Sequence, residues 1–354
     1  MGVPVDGTHA CSGEEEGHQY HSYNLPKGKW QANFGYRHFR SFRHFVGDVE
    51  QNAENEANGT AERDRAGTNV INHVHQPLVG VTYGVTDRFS LSADLPYFQA
   101  LRRSPWAGSR PTFATSAHGI SDLVVTGRYW VTNPNKSHTQ NLSVGVGLKF
   151  PTGNDRAEDD FLVRVAPDGT RITEVRPVDQ SIQPGDGGFG ILTEVQGFKG
   201  MGRFVAFVSG AYLFNPKEMN DFNRNGPSAP VDDSGAENHL LSIADQYVAR
   251  VGVATNVWQN LGANLGLRIE GTSSEDLIGG SRGRRRPGYT LGLDPGLAYM
   301  WKGNALSVNV PIALRRVRTQ NYADKLESEE SGEQVTGDAA FADYAIVVAF
   351  SHRF

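Results

Sequence analysis

The chain is short of cysteine, of long apolar runs and of net charge, and each shortage removes a class of protein. Cys11 is the single cysteine among 354 residues, so neither an intrachain disulfide nor a cysteine-built zinc site can form. No apolar stretch approaches the ~20 residues of a membrane-spanning helix. Mean hydropathy is −0.44 and hydrophobic residues make up 38%. The net charge is −5, from 34 basic and 39 acidic residues. That lacks the basic excess of a nucleic-acid binder, so no nucleic-acid partner is expected. The opening MGVPVDGTHACSGEEEGH has no apolar signal core, and a secreted form is expected to have lost its signal peptide.

What the chain has is glycine, 41 residues, and alternation at period two, the mark of strands with two different faces. Leu142, Val144, Val146, Leu148 and Phe150 alternate with Ser143, Gly145, Gly147 and Lys149. Phe89, Leu91, Ala93, Leu95 and Tyr97 alternate with Ser90, Ser92 and Asp94. The pattern predicts strands near 29–43, 70–84, 88–98, 120–132, 140–151, 188–198, 203–214, 244–256, 262–272, 288–301, 304–316 and 342–354. Most run ~10–14 residues, enough to cross a bilayer when tilted, against ~5–6 for soluble strands. A low overall hydropathy fits, because such a strand shows lipid only every second residue.

Short links such as Val85–Asp87 and Lys199–Gly202 alternate with long ones near 46–69, 99–119, 152–187, 215–243, 273–287 and 317–341. The expected fold is therefore all-β: a closed antiparallel transmembrane β-barrel of about twelve strands, with short periplasmic turns and long extracellular loops. Residues 1–28 are expected to form a flexible periplasmic tail, and 29–354 the barrel. Trp30, Tyr83, Tyr129, Trp258 and Tyr299 lie toward the short turns, and Tyr97, Phe150, Phe214 and Tyr289 toward the long loops, as two interfacial girdles require. A soluble β-sandwich with long hairpins is the competing reading.

The stretches GISDLVVTGRYW (119–130), NLSVGVGLKFPTGND (141–155) and QPGDGGFGILTEVQGF (183–198) resemble the MetA-pathway phenol-degradation family of outer-membrane barrels. The resemblance covers 119–198 and implies a transporter for an aromatic or hydrophobic solute. In local physical terms, Pro151-Thr152-Gly153 ends a strand, and the glycines between Gly185 and Gly190 let the backbone turn sharply back into the sheet.

Four constellations could carry function. If the large apolar residues face lipid, the inward set includes Arg37, Asp94, Asp122, Arg128, Lys149, Glu194, Arg250, Arg268, Glu270, Asp294 and Arg315. These could be closed pairs filling a narrow barrel or the lining of a pore. A partly unpaired basic set would favour anions, including carboxylated aromatics. Asp221, Asn223, Asn225 and Asp232 with Gly226 match the spacing of a calcium loop, the alternative being a plain solvated loop. Arg282, Arg284, Arg285 and Arg286 on the outer rim could meet lipopolysaccharide phosphates. His9, Cys11, His18 and His21 could bind copper or zinc, though they read equally as part of the tail. No resident cofactor is expected apart from calcium in that loop.

No serine–histidine pair with an orienting partner points to catalysis. The function expected is an outer-membrane channel or transporter for small, hydrophobic or aromatic solutes, in contact with outer-membrane lipid. The alternative is a non-conducting scaffold or a sleeve for a partner protein. Phe354, ending an alternating strand, is expected to be read by the barrel-assembly machinery.

Overall fold

The computed structural model describes residues 25–59, 70–104, 113–134, 136–137, 139–226 and 237–354. Within them the alternating runs form one closed antiparallel barrel of twelve strands. The first six are Trp30–Val46, Ile71–Gly84, Phe89–Ser104, Leu123–Trp130, Gln140–Phe150 and Gly190–Met201. The next four are Phe204–Phe214, Gln246–Trp258, Leu261–Thr272 and Gly288–Trp301. The eleventh is interrupted, Asn304–Asn309 then Ile312–Arg318, and the twelfth is Asp338–Arg353. The last pairs with the first, with Gln31 opposite Arg353 and Phe34 opposite Phe350. Reciprocal backbone bonds of 3.0 Å between Trp30 and Phe354 finish the seam. Closure leaves no sheet edge, which hydrocarbon could not hydrogen-bond.

The burial pattern is inside out. Val79, Val144, Leu148, Val251 and Leu265 are exposed, while Ser143, Ser209, Lys149 and Arg250 are buried. A soluble sandwich buries the opposite set, so the lipid-facing phase read from the sequence holds and the sandwich reading falls. No described helix is long and apolar enough to cross a membrane; the strands do so. At the short-turn rim Trp30 packs on Tyr83 at 4.5 Å and Tyr299 on Trp301 at 5.4 Å between ring centroids, one of the two expected girdles.

Three departures matter. The fourth strand does not run unbroken from 120 to 132. The hairpin with the third strand extends above it as Phe113–Ile120 and breaks at Ser121 and Asp122. The eleventh strand is cut at Val310-Pro311, because proline has no N–H for the ladder. Its register against the tenth strand then slips between Leu291 and Gly292. A slip of this kind exchanges faces, so Arg315 is not a lumen residue. It lies outside, its side chain 58% exposed, 3.1 Å from Asp48, and Arg316 and Arg318 point inward instead.

The third departure is that the long loops are built. The segment after the fifth strand holds a hairpin, Glu158–Val165 with Arg171–Pro177, and a short 3-10 turn, Gln180–Ile182. The segment before the last strand holds the helix Tyr322–Ser331, started by a reciprocal capping box between Asn321 and Asp324 and ended by Gly332 in the left-handed conformation. Of the expected tail, 1–24 lie outside the described residues, as do His9, Cys11, His18 and His21. Of residues 25–28, Leu25 is buried, Pro26, Lys27 and Gly28 are exposed, and Gly28 N donates to Gly84 O.

Candidate functional site

The chemistry-bearing residues converge on the lumen. Its waist is a chain of charges. Arg37 on the first strand reaches Glu270 on the ninth at 2.8 Å, a pair that bridges three intervening strands of the wall. Glu270 also accepts from Arg268 at 2.7 Å, Arg268 approaches Asp294 at 3.6 Å, and Arg250 binds Asp294 at 2.6 Å. Asn309 donates to the second oxygen of Asp294 at 2.9 Å and to Asn264 at 3.1 Å. Asp294 is 0% exposed, and a buried carboxylate is tolerable only with partners of this kind.

The inward glycines do not form an open conduit. A Cβ on Gly145 would lie 2.4 Å from the Glu194 side chain, which crosses that position to meet Arg128 at 2.6 Å. A Cβ on Gly252 would lie 2.6 Å from the Phe207 ring, and one on Gly296 would lie 2.4 Å from the Asn309 amide. Glycine is used here so that long side chains of neighbouring strands can fill the space. Arg37 and Arg268 line two cavities of the lumen. The upper one, toward the long loops, is about 470 Å³ and includes Phe39, Tyr247, Tyr289, Phe341 and Arg286. The lower one is about 150 Å³ and includes Asp94, Thr126, Arg128 and Glu194.

An inward-folded segment caps this lumen. Val178 and Ile182, both essentially inaccessible, pack with Ala157 against Val74, Phe98, Ala100 and Ala117 of the upper wall. Asp179, between them, fastens the segment to the opposite side. Arg286 binds both its oxygens at 2.8 and 3.1 Å, and Arg102 approaches at 3.4 Å. Burial alone would push the Asp179 carboxyl up, but the Arg286 and Arg102 guanidinium groups outweigh it and hold it well below the usual carboxylate range. Gln180 donates to Ser242 O at 2.8 Å. Asp122 accepts from the backbone N–H of Gly153 at 3.0 Å, Lys149 binds Asp186 at 2.5 Å, and the backbones of Gly153 and Gly185 touch so closely that neither admits a Cβ.

The expected lumen residues therefore divide. Arg128, Glu194, Arg250, Arg268, Glu270 and Asp294 line or span the interior, and Asp94 lies in the lower cavity over Gly80. Lys149 and Asp122 secure the cap. Lys149, Arg128, Arg250 and Arg268 each hold a carboxylate partner, so the reading of a partly unpaired, anion-favouring basic set is replaced by local charge balance. Arg102, Arg286 and Asp179 were not legible as a cluster. The usable signal was an apolar pair, Val178 and Ile182, flanking an acid inside a polar loop.

The basic run is mostly turned away from lipid. Arg285 is 1% exposed and grips Asp276 with both nitrogens. Arg286 serves Asp179, Arg284 approaches Asn238 at 3.5 Å, and only Arg282 is exposed, on Glu218. In the candidate calcium loop, Asp221 is paired with Lys217 at 3.0 Å and Asn223 accepts from Asn225 N at 2.9 Å. Asp232 lies outside the described residues, and among these no cluster of metal ligands occurs.

No family model matches the sequence, and no curated protein matches it. Among solved structures, the COG4313 outer membrane channel from Pseudomonas putida F1 is similar with a TM-score of 0.57 at 13% identity, covering 96% of this chain and 100% of that one. The P. putida toluene transporter TodX covers 93% of this chain and is covered over 91% of its own at 9% identity, with a TM-score of 0.44. The translocator domain of autotransporter NalP from Neisseria meningitidis has the same TM-score, 0.44, at 11% identity, with 94% and 91% covered. The MetA-pathway resemblance thus gains no family match of its own, while the first of these likenesses places the chain in the outer-membrane β-barrel fold.

Proposed function

We propose that this chain is a bacterial outer-membrane channel that passes small amphipathic solutes, aromatic ones among them, by diffusion through its lumen. The observation that carries this is the upper cavity. Its volume of about 470 Å³ is that of a small-molecule site, and its lining mixes rings with guanidinium groups, a surface for a ring bearing a polar substituent. The waist below is closed by side chains alone, and ion-paired side chains can swing aside without moving the wall. The likeness to an outer membrane channel supports the same reading, and the exposed apolar wall with its girdle supports the membrane placement.

The filled glycines and the closed waist favour a second reading, a non-conducting scaffold. Planar-bilayer recording of the purified protein, with uptake of benzoate and of toluene into vesicles, separates the two. Discrete conductance steps of weak ion selectivity are expected, because the lumen charges are balanced. Absence of both current and uptake would leave the scaffold.

Biogenesis offers a further test. Phe354 is exposed at the end of the closing strand, where the assembly machinery would read it. Deleting it should reduce folded barrel in the outer membrane several-fold, and unchanged levels would refute that role.

A further inference from the structure

The outside of the barrel carries a cationic patch where the alternation would place apolar residues. On the first strand the outward positions climb from Trp30 through Phe34 to Tyr36, and on the third from Leu91 to Tyr97. Above these tyrosines the composition changes. His38 and Arg40 of the first strand stand opposite His75 and His73 of the second. Arg103 stands opposite Ile71, and His118 stands opposite Gln99. The His38 and His75 rings stack at 4.4 Å, and the Tyr36 hydroxyl is 2.7 Å from His75 Nδ1.

Arg40 and Arg103 are exposed. Arg40 lies over the Phe42 ring at 4.4 Å, one outward position nearer the long-loop rim, so its charge is carried upward, away from the apolar band. Among the described residues no carboxylate pairs with either arginine, whereas Arg37 and Arg43, on the same strand but facing inward, both hold acids. Asp159, on the hairpin beside this edge, accepts from the Ser116 N–H. An unpaired arginine on a lipid-facing wall is costly near the bilayer midplane and cheap only at the headgroup level, which interfacial tyrosines mark. A phosphate there completes its hydrogen bonds.

We propose that this wall of the first three strands binds the phosphate groups of an outer-leaflet glycolipid. Arg40 and Arg103 are the phosphate ligands, the stacked histidines supply further hydrogen-bonding groups, and the acyl chains lie on Phe34, Val79 and Leu95 below. The site rests on the outer-membrane reading and replaces the loop arginines Arg284, Arg285 and Arg286, which the fold has turned to other partners.

Native mass spectrometry of the full chain in detergent, titrated with bisphosphorylated lipid A, tests it. Wild type should retain the lipid. The R40Q/R103Q double variant should bind at least about tenfold more weakly, while R315Q, outside the patch, should match wild type. Equal retention by the double variant overturns the site. So does equal binding of dephosphorylated lipid A by wild type, a comparison that needs no variant to fold. Displacement of the lipid by inorganic phosphate at matched concentration would make it a free-anion site instead. A wild type that inserts and conducts but binds no lipid A loses this site and keeps the channel.

Discussion

Replacing Asp179 with asparagine should open the cap and raise the open probability of the channel roughly thirtyfold, if the substitution weakens docking by about 2 kcal/mol. The reasoning is electrostatic. Asp179 is the acid shared by Arg286 and Arg102, and removing its charge leaves two guanidinium groups facing each other across the lumen mouth. Truncating one partner of a fully buried pair costs ~3–5 kcal/mol. The lower figure allows for the partial exposure of this pair, since solvent screens it. The apolar contacts of Val178 and Ile182 remain, so the segment should swing rather than unfold.

Arg286→Gln should act in the same direction, and combining it with the asparagine should add little, because both break one contact. The pH dependence has a definite sign. The Asp179 carboxyl is held below its ordinary value, so its contribution to closure is complete above the ordinary carboxylate range and is lost only as pH falls through the depressed value. The Asp179 contribution to closure should therefore be flat between about pH 8 and 5 and fail only in strong acid, whereas Asp122, raised to about 6 by burial and by the Asp186 charge, titrates within that window. Single-channel recording decides the matter: an open probability that D179N leaves unchanged, or a response between pH 8 and 5 that D179N abolishes, would overturn this account of Asp179.

Arginine at Val146 should destabilise the folded barrel by ~2–4 kcal/mol in vesicles. Val146 is 62% exposed on the outer wall, between the outward side chains of Val144 and Leu148. Its neighbour offers a contrast of mechanism. Gly145 faces the lumen beneath the Glu194 side chain, so arginine there meets no lipid and instead displaces Glu194 from Arg128. Gly145→Arg should therefore alter conductance, and Val146→Arg should alter stability with conductance preserved in the molecules that fold. Val146→Leu should be nearly neutral. Urea unfolding in vesicles, read beside bilayer conductance, checks both. Equal effects of the two arginines on both measurements would mean that the faces are assigned wrongly.

Period-two alternation, loop length and aromatic placement were enough to determine the barrel, its strand number and its closure. These depend on local and repeated properties: which residue faces which side, and where the chain can turn. Val144, Val146 and Leu148 could be assigned to lipid from the sequence because a strand has only two faces. The same rule failed at Arg315, because the register holds across Pro311 but slips at Leu314, and the slip exchanges the faces beyond it. Partnership was beyond the reach of alternation. Arg37 and Glu270 are 233 residues apart in sequence, as an ion pair across a closed sheet can be, and Arg286 finds Asp179 only because one long loop folds inward beneath another. The run of arginines at 282–286 reads as a surface patch when its neighbours are unknown. The tertiary structure assigned its members separately, because a buried guanidinium is tolerable only beside an acid: Arg285 takes Asp276 from its own loop, whereas Arg286 takes Asp179 from a segment that only the folded barrel brings to it.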